Sequence, residues 1–255
     1  KIKRFEFNMF PVNCYVLWDE TKEAVVIDPG CFYDEEKQAL KNFINTNGLT
    51  VKHLLNTHLH LDHIGGVADL LDAGVRIGQV YLPLNAARQQ ADPDALKLLE
   101  RLEGAGIPVM ELARGDEMRY NTTSVSVLWP VREHIRSGQD ANELPLVLSI
   151  RFGPYTILSA SDLSGAYERY AAAPADVLKV AHHGSADSSG EAFLDQVGAR
   201  VALVSCSSGS RYLPGEATLE RLTRSGAQVL RTDDCGDITL TLHGDQLYIT
   251  PYKVR

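Results

Sequence analysis

The sequence predicts a layered α/β or α+β fold, and two observations lead to it. Short apolar segments of strand length alternate with amphipathic segments of helix length, which favours an α/β or α+β architecture over an all-β one. The chain has 255 residues, of which 44% are hydrophobic, so one large core can form. No repeat, low-complexity tract or Pro/Ser-rich linker interrupts it. We expect 1–255 to be a single domain.

The first quarter of the chain is predicted to contain four strands and one helix. Pro29-Gly30 is a turn dipeptide that ends the third strand. Leu40, Phe43 and Ile44 have the i, i+3, i+4 spacing of one helical face, and Asn47-Gly48 is a helix stop. The predicted strands are 5–7, 13–18, 24–28 and 51–57, and the predicted helix is 35–47.

The remaining residues continue the alternation of strands and helices. We expect a helical insertion over 84–119. The predicted helices are 66–73, 94–104, 190–197 and 216–225. The predicted strands are 124–129, 146–152, 155–159, 177–181, 201–205, 229–231, 238–242 and 247–249.

Composition excludes several functional classes. A formal charge of −8 and a pI near 5.5 give no overall attraction to a phosphate backbone, so any contact with nucleic acid must be local. No apolar run reaches the ~18 residues of a membrane span, and the charged start Lys1-Ile2-Lys3-Arg4 does not resemble a secretory signal peptide. The four cysteines form no CxxC pair. We expect a soluble chain, cytoplasmic as expressed, with its native compartment and oligomeric state left open.

Composition also changes abruptly along the chain. Residues 1–64 contain six Lys, one Arg, six Asn and two Ala, whereas 65–255 contain three Lys, fifteen Arg, three Asn and 22 Ala. Folding gives little reason to prefer Lys before a point and Arg after it, since both are solvated helix formers. We hypothesise a chimera of two origins joined near Ile64-Gly65-Gly66. Drift along one gene is the alternative.

The strongest chemical signal is the segment Thr57-His58-Leu59-His60-Leu61-Asp62-His63. His58 and His60, two apart on extended backbone, point the same way and can bind one divalent ion. Asp62 and His63 follow in the turn and can face a second ion. Such ligands suit zinc, manganese or iron, and an open coordination position would hold a water whose pKa falls toward ~7. A surface histidine cluster or a helix cap is the alternative.

Two further polar sites follow apolar strands in the second half of the chain. Asp162 comes after the predicted strand 155–159, where a carboxylate can bridge two ions, although it can also cap a helix that starts near Leu163. His182-His183-Gly184-Ser185 ends the predicted strand 177–181. Adjacent histidines on a strand point to opposite sides, so one can bind metal while the other lines the pocket or packs. The pattern does not say which one is the ligand.

In this order the motifs resemble the metallo-β-lactamase superfamily, over essentially the whole chain. Residues 1–66, with Val26-Ile27-Asp28-Pro29-Gly30 and the histidine segment, resemble glyoxalase II-like thioester hydrolases. Residues 65–255, with the segments 142–148, 175–185 and 231–233, resemble the carboxyl-terminal hydrolase domain of ComEC competence proteins. In that family the domain accompanies a membrane channel for DNA uptake and is thought to degrade one incoming strand.

The resemblance implies a fold, a cofactor and a ligand set. The implied fold is a four-layer αββα sandwich of two mixed β-sheets flanked by helices, and the implied cofactor is two divalent metal ions, zinc or manganese. The implied metal ligands are His58, His60, Asp62, His63, Asp162 and His183.

Three departures separate the chain from these families. Glyoxalase II enzymes have a further metal-binding histidine where this chain has Asn142, which weakens the thioesterase interpretation. ComEC proteins often have Tyr-Gly-His-Pro where this chain has Tyr212-Leu213-Pro214-Gly215, which puts nuclease activity in doubt. Ser161 precedes Asp162 in place of the family's glycine.

We therefore expect a metal-dependent hydrolase in which a metal-bound hydroxide cleaves a phosphodiester, with single-stranded DNA as the substrate. Asp62 and Asp162 would act at the metals, and His182 and Ser185 would lie near the substrate. One alternative is thioester hydrolysis at the same metals. The other is a catalytically weak metal-binding chimera.

Overall fold

The computed structural model describes residues 1–7, 12–57, 61–84, 93–120, 123–136, 143–207, 210 and 212–252. The chain divides into two compact units. The first covers 1–112, and the second is formed by the described residues from 113 onward. Among the described helices, none is long and apolar enough to cross a membrane.

The first unit is built on a mixed sheet of six strands in sequential order. Its first two pairings are antiparallel and the other three are parallel. Consequently the last four strands all end at the same edge of the sheet. The strands are β1 (Ile2–Phe7), β2 (Val12–Trp18), β3 (Glu23–Ile27), β4 (Thr50–Leu55), β5 (Gln79–Pro83) and β6 (Val109–Leu112).

Helices connect the parallel strands of this unit. They are α1 (Asp34–Thr46), α2 (Leu61–Asp72) and α3 (Pro93–Gly104). At the start of α1 the Glu36 carboxylate accepts the backbone N–H groups of Phe32 and Tyr33 at 2.9 and 3.1 Å, which satisfies donors that the helix leaves open. The helix buries Leu40 and Ile44, the face that the sequence pattern predicted.

The core of the first unit spans the proposed chimera junction. Leu54 before the junction and Val67 after it are both fully buried in one cluster. Leu54 on β4 also pairs with Val80 on β5. Residues on the two sides of the compositional break therefore fold together, inside one sheet and one helix, and the hypothesis of two origins stays a prediction.

The second unit is built on a mixed sheet of seven strands in the order β13-β12-β11-β10-β9-β8-β7. Pairings from β7 to β10 are antiparallel and those from β10 to β13 are parallel. The strands are β7 (Glu117–Tyr120), β8 (Thr123–Trp129), β9 (Val147–Phe152), β10 (Tyr155–Ser159), β11 (Val177–Lys179), β12 (Val201–Val204) and β13 (Gln228–Arg231). A separate hairpin consists of β14 (Asp237–His243) and β15 (Gln246–Tyr252).

Short helices and a second core complete this unit. Trp129 is fully buried, and its indole N–H donates to the Glu143 carbonyl at 2.7 Å. Leu158 and Leu178, on neighbouring parallel strands, pack in the same cluster. The α-helices are α4 (Glu168–Ala171), α5 (Glu191–Val197), α6 (Glu216–Arg224) and α7 (Thr232–Cys235), and Arg132–His134 forms a 3₁₀ turn.

The predicted fold class is confirmed, because two mixed sheets and helices make up the described chain. Two local predictions were wrong. Within the described part of the interval 84–119, β6 and β7 are strands beside the helix α3, so the interval is not a wholly helical insertion. Helix α2 begins at Leu61, not at residue 66. Gly65 and Gly66 lower helix propensity, but burial of Ile64, Val67 and Leu70 on one face outweighs that cost.

Replacing Leu158 with alanine should destabilise the protein by about 2 to 5 kcal/mol, because the side chain is fully buried and its loss leaves a cavity. The same change at Leu96, which is 43% exposed, should cost at most about 0.5 kcal/mol. Urea unfolding followed by circular dichroism measures both. Equal losses for the two variants would contradict this placement of the core.

Candidate metal centre

In the first unit, a buried carboxylate fixes the point at which the chain leaves β4. Asp28, directly after β3, accepts the backbone N–H of Thr57 at 2.6 Å and its hydroxyl at 2.7 Å. Asp28 is 5% exposed and has a φ of 48°, a left-handed conformation that non-glycine residues rarely adopt. Hydrogen bonds to an ionised carboxylate are among the strong ones. They hold the residue that immediately precedes His58.

A close contact fixes the other end of the histidine segment. The Gly66 N–H donates to the Pro29 carbonyl at 2.6 Å. A Cβ at Gly66 would overlap that carbonyl and come within 2.7 Å of the Cys31 sulfur, so only glycine allows α2 to lie this close to the turn after β3. Thr57, just before the histidine segment, and Gly66, in α2, are thus both hydrogen-bonded to residues directly after β3.

His58 and His60 lie outside the described residues. Asp62 and His63 have described backbones but not described side chains, and both lie in the first turn of α2. The prediction that these two residues follow in a turn was therefore wrong. Among the described residues, no group of three or more His, Cys, Asp or Glu side chains is placed to hold a metal ion.

In the second unit, Asp162 and His183 come together at the carboxyl edge of the parallel strands. They follow β10 and β11, and they are 5% and 7% exposed. His183 Nε2 lies 3.9 Å from Asp162 Oδ2. That separation is too long for a hydrogen bond, but it is comparable with the distance between two ligands of one ion when each is about 2.1 Å from it.

A backbone carbonyl orients His183. Its Nδ1 lies 3.1 Å from the carbonyl oxygen of Ser205, at the end of β12. Because a carbonyl only accepts, Nδ1 carries the proton, and in the neutral ring the lone pair resides on Nε2, which faces Asp162. Metal-binding histidines characteristically donate their second ring nitrogen to such an acceptor. The pair therefore fits a divalent ion that takes nitrogen and oxygen ligands.

The histidines lie on a left-handed turn. Strand β11 ends at Lys179, and His182 and His183 have φ values of 47° and 54°, followed by Gly184 at 80°. The expectation that they alternate along a strand was therefore wrong. Three consecutive left-handed residues are energetically unfavourable and need support from their surroundings. Part of that support is the His182 N–H, which donates to the Ser161 carbonyl at 2.9 Å.

Asp162 does not cap a helix at Leu163, since the next described helix is α4. It follows Ser161, whose φ of 48° is again left-handed. His182 is partly exposed beside His183, with ring centroids 6.5 Å apart. Ser185 follows the turn, and its carbonyl accepts the Thr218 hydroxyl at 2.8 Å.

Two charged residues, which the sequence did not single out, hold the loop after the histidines. Arg221 on α6 donates to the carbonyls of Ala186, Ser188 and Ser189 at 2.8 to 3.0 Å. Glu168 on α4 accepts the N–H groups of Ser189 and Gly190. Burial raises the pKa of Glu168 despite these hydrogen bonds. Both residues act on backbone groups 21 to 35 residues away, so sequence spacing gives no signal for them.

Lys179 was also missed. It is the last residue of β11, and its side chain is 10% exposed. Its Nζ donates to the Ser161 carbonyl at 3.2 Å and lies 3.9 Å from Asp162 Oδ1. The available signal was a cation inside the apolar run Val177-Leu178-Lys179-Val180-Ala181.

Comparison with known proteins supports the superfamily resemblance. Residues 8–76 match the family described as "Metallo-beta-lactamase superfamily". ComE operon protein 3 of Bacillus subtilis is 30% identical over 209 residues, which are 79% of this chain and 26% of that protein. Hydroxyacylglutathione hydrolase of Synechococcus sp. is 28% identical over 184 residues, 67% of this chain and 66% of that protein. This chain thus spans about a quarter of the first relative and about two thirds of the second.

A solved structure shows the fold. The metallo-beta-lactamase fold protein YhfI from Bacillus subtilis superposes with a TM-score of 0.58 at 13% identity, covering 90% of this chain and 94% of YhfI. At this identity the likeness concerns the fold alone. It confirms the fold that the sequence motifs predicted.

Changing Thr57 to valine removes one hydroxyl donor to Asp28 and preserves the side-chain shape. We expect a loss of about 1 to 3 kcal/mol in the free energy of unfolding, because a buried carboxylate oxygen loses one hydrogen bond. Thr21→Val is the matched control, since the Thr21 hydroxyl donates to Asp19 at 2.6 Å in an exposed turn. Chemical denaturation measures both. A control that loses as much as Thr57→Val would refute the structural role of the buried pair.

Thiol alkylation tests the burial of Cys31 in the first unit and of Cys206 in the second unit. Burial raises the pKa of Cys31 to about 12, and burial together with a hydrogen bond to Asp233 raises the pKa of Cys206 to about 11. Both thiols are therefore neutral at pH ~8, where thiolate is the reactive form. Under iodoacetamide, mass spectrometry should find the partly exposed Cys235 modified first and all four cysteines modified in urea. Equal modification of Cys31 and Cys235 in the folded protein would be the contrary result.

Proposed function

We propose that this chain, which has the metallo-β-lactamase fold, is a metal-dependent hydrolase of phosphodiesters with single-stranded DNA as its substrate. The observation that supports metal-dependent chemistry most strongly is the buried Asp162–His183 pair, with His183 oriented by the Ser205 carbonyl. Such a pair costs free energy to bury and strain to position, which is typical of a functional site.

The donor set suits zinc or manganese. In the second unit, Asp162 and His183 would hold a divalent ion. In the first unit, His58, His60, Asp62 and His63 are the ligands proposed from the histidine segment. Bound divalent ions would supply a Lewis acid for the phosphoryl oxygen and make water nucleophilic near neutral pH. His183 keeps its lone pair on Nε2 for this purpose because Nδ1 is committed to Ser205.

The residues around the pair have distinct proposed roles. His182 and Ser185, on and after the same left-handed turn, contact the substrate. Glu168 and Arg221 keep the loop 185–190 in place through its backbone groups. Ser185 thereby begins a loop that is hydrogen-bonded from two helices, and His182 lies on the turn just before that loop.

Phosphodiester cleavage is favoured over thioester hydrolysis by two observations. The likeness to ComE operon protein 3 extends over more of this chain than the likeness to the hydroxyacylglutathione hydrolase. In addition, Asn142 stands where glyoxalase II enzymes have a histidine. The hydroxyacylglutathione hydrolase likeness still makes thioester hydrolysis the second candidate. With a net charge of −8, DNA contacts must be local.

The test compares the wild-type protein, loaded with zinc or manganese, against Asp162→Asn and His183→Asn. Each protein is assayed on a labelled single-stranded oligonucleotide and on a hydroxyacylglutathione thioester. We expect oligonucleotide cleavage that falls by at least about 100-fold in both variants, since loss of a metal ligand should cost at least as much as loss of a residue that orients a ligand. His243→Asn, in the β14–β15 hairpin, is the matched control and should keep full activity.

The other outcomes distinguish the alternatives. Thioester turnover without DNA cleavage would identify an acyl hydrolase. Metal bound without turnover of either substrate would favour the catalytically weak scaffold. Full DNA cleavage by His183→Asn would refute the role of the Asp162–His183 pair.

A further inference from the structure

Lys179 is a buried cation that the proposed chemistry does not use. It ends β11 and lies in register with Ser159 on β10 and Leu203 on β12. The residue as a whole is 8% exposed. An ammonium group held among apolar strands is unfavourable unless hydrogen bonds and an opposite charge compensate it. Both kinds of compensation come from one place, the turn that carries Asp162.

The first compensation is a hydrogen bond to backbone. Lys179 Nζ donates to the Ser161 carbonyl at 3.2 Å, and the same oxygen accepts the His182 N–H at 2.9 Å. The Ser161 hydroxyl is buried and makes no hydrogen bond within the described part of the chain. Of the two Ser161 oxygens, the carbonyl is therefore the one that accepts hydrogen bonds here. This one oxygen joins the turn before Asp162 to the turn of the histidines.

The second compensation is electrostatic. Asp162 has Lys179 Nζ 3.9 Å from Oδ1 and His183 Nε2 3.9 Å from Oδ2. The ammonium and the imidazole thus lie at different oxygens of one carboxylate. At 3.9 Å the lysine attracts Oδ1 without donating a hydrogen bond to it.

We propose that Lys179 is a positioning residue for Asp162. It holds the left-handed Ser161 turn through the carbonyl and keeps Oδ1 on its own side, so that Oδ2 faces His183. This proposal rests on the proposed function, because the Asp162–His183 pair is taken as the place where a divalent ion binds. Lys179 itself contacts neither the ion nor the substrate.

The test measures binding of Zn²⁺ and Co²⁺ to the full chain by competition with a chromophoric chelator. Lys179→Met keeps the length of the side chain and removes the cation and the donor. We expect its metal affinity to fall by about 10- to 100-fold, the usual effect of losing a residue that orients a ligand. The visible absorption of bound Co²⁺ should also change, since the carboxylate reorients. A purely structural role would lower thermal stability without altering that spectrum.

Two more variants sharpen the result. Lys179→Gln retains a donor without the charge, so its metal affinity should lie between those of wild type and Lys179→Met. This variant also keeps the test possible if the methionine variant does not fold. Arg200→Met is the matched control, because Arg200 pairs with Asp176 at 2.9 Å just before β12 and β11, at the opposite end of the same strands. It should leave affinity and spectrum unchanged.

The outcomes separate this inference from the proposed function. Wild-type protein that binds neither ion contradicts both. Wild-type protein that binds them, together with folded Lys179→Met or Lys179→Gln of unchanged affinity and spectrum, overturns the role of Lys179 alone. Equal losses of metal affinity in Arg200→Met and Lys179→Met would also overturn it, since removing any nearby positive charge would then have the same effect.

Discussion

The polar edge of the second unit forms because four of its strands, β10 to β13, pair in parallel. Because these strands run in one direction, the residues after each of them meet at one edge. Asp162 follows β10, His183 follows β11 and Ser205 follows β12. Asp162, His183 and the carbonyl that orients His183 therefore follow three neighbouring strands. The apolar cluster beneath them, with Leu158 and Leu178, keeps those strands in register.

The edge is held at an energetic cost. Ser161, His182 and His183 each adopt a left-handed conformation, which costs about 1 to 3 kcal/mol per non-glycine residue. Hydrogen bonds to backbone groups offset this cost, with Lys179 acting on the turn before Asp162 and Arg221 on the loop after the histidines. Strain and buried charge in the same few residues indicate a site whose geometry matters more than its contribution to stability.

The sequence predicted the fold and much of the candidate site, for identifiable reasons. Asp162 and His183 follow strongly apolar strands, so their placement at a sheet edge could be inferred. The left-handed turns could not be inferred, because serine and histidine, unlike glycine, do not indicate a positive φ in a sequence. Strand β6 was missed because it has only four residues, and Val109 and Met110 on it are exposed. Lys179 was missed because its partner is a backbone carbonyl 18 residues away.

Asp162 and His183 are proposed to bind one divalent ion together. Anomalous diffraction from crystals grown with Zn²⁺, recorded on both sides of the zinc absorption edge, tests it most directly. We expect a zinc peak within about 2.0 to 2.2 Å of His183 Nε2 and of an Asp162 carboxylate oxygen. Zinc bound elsewhere in the chain, with this pair free of any anomalous peak, would contradict it.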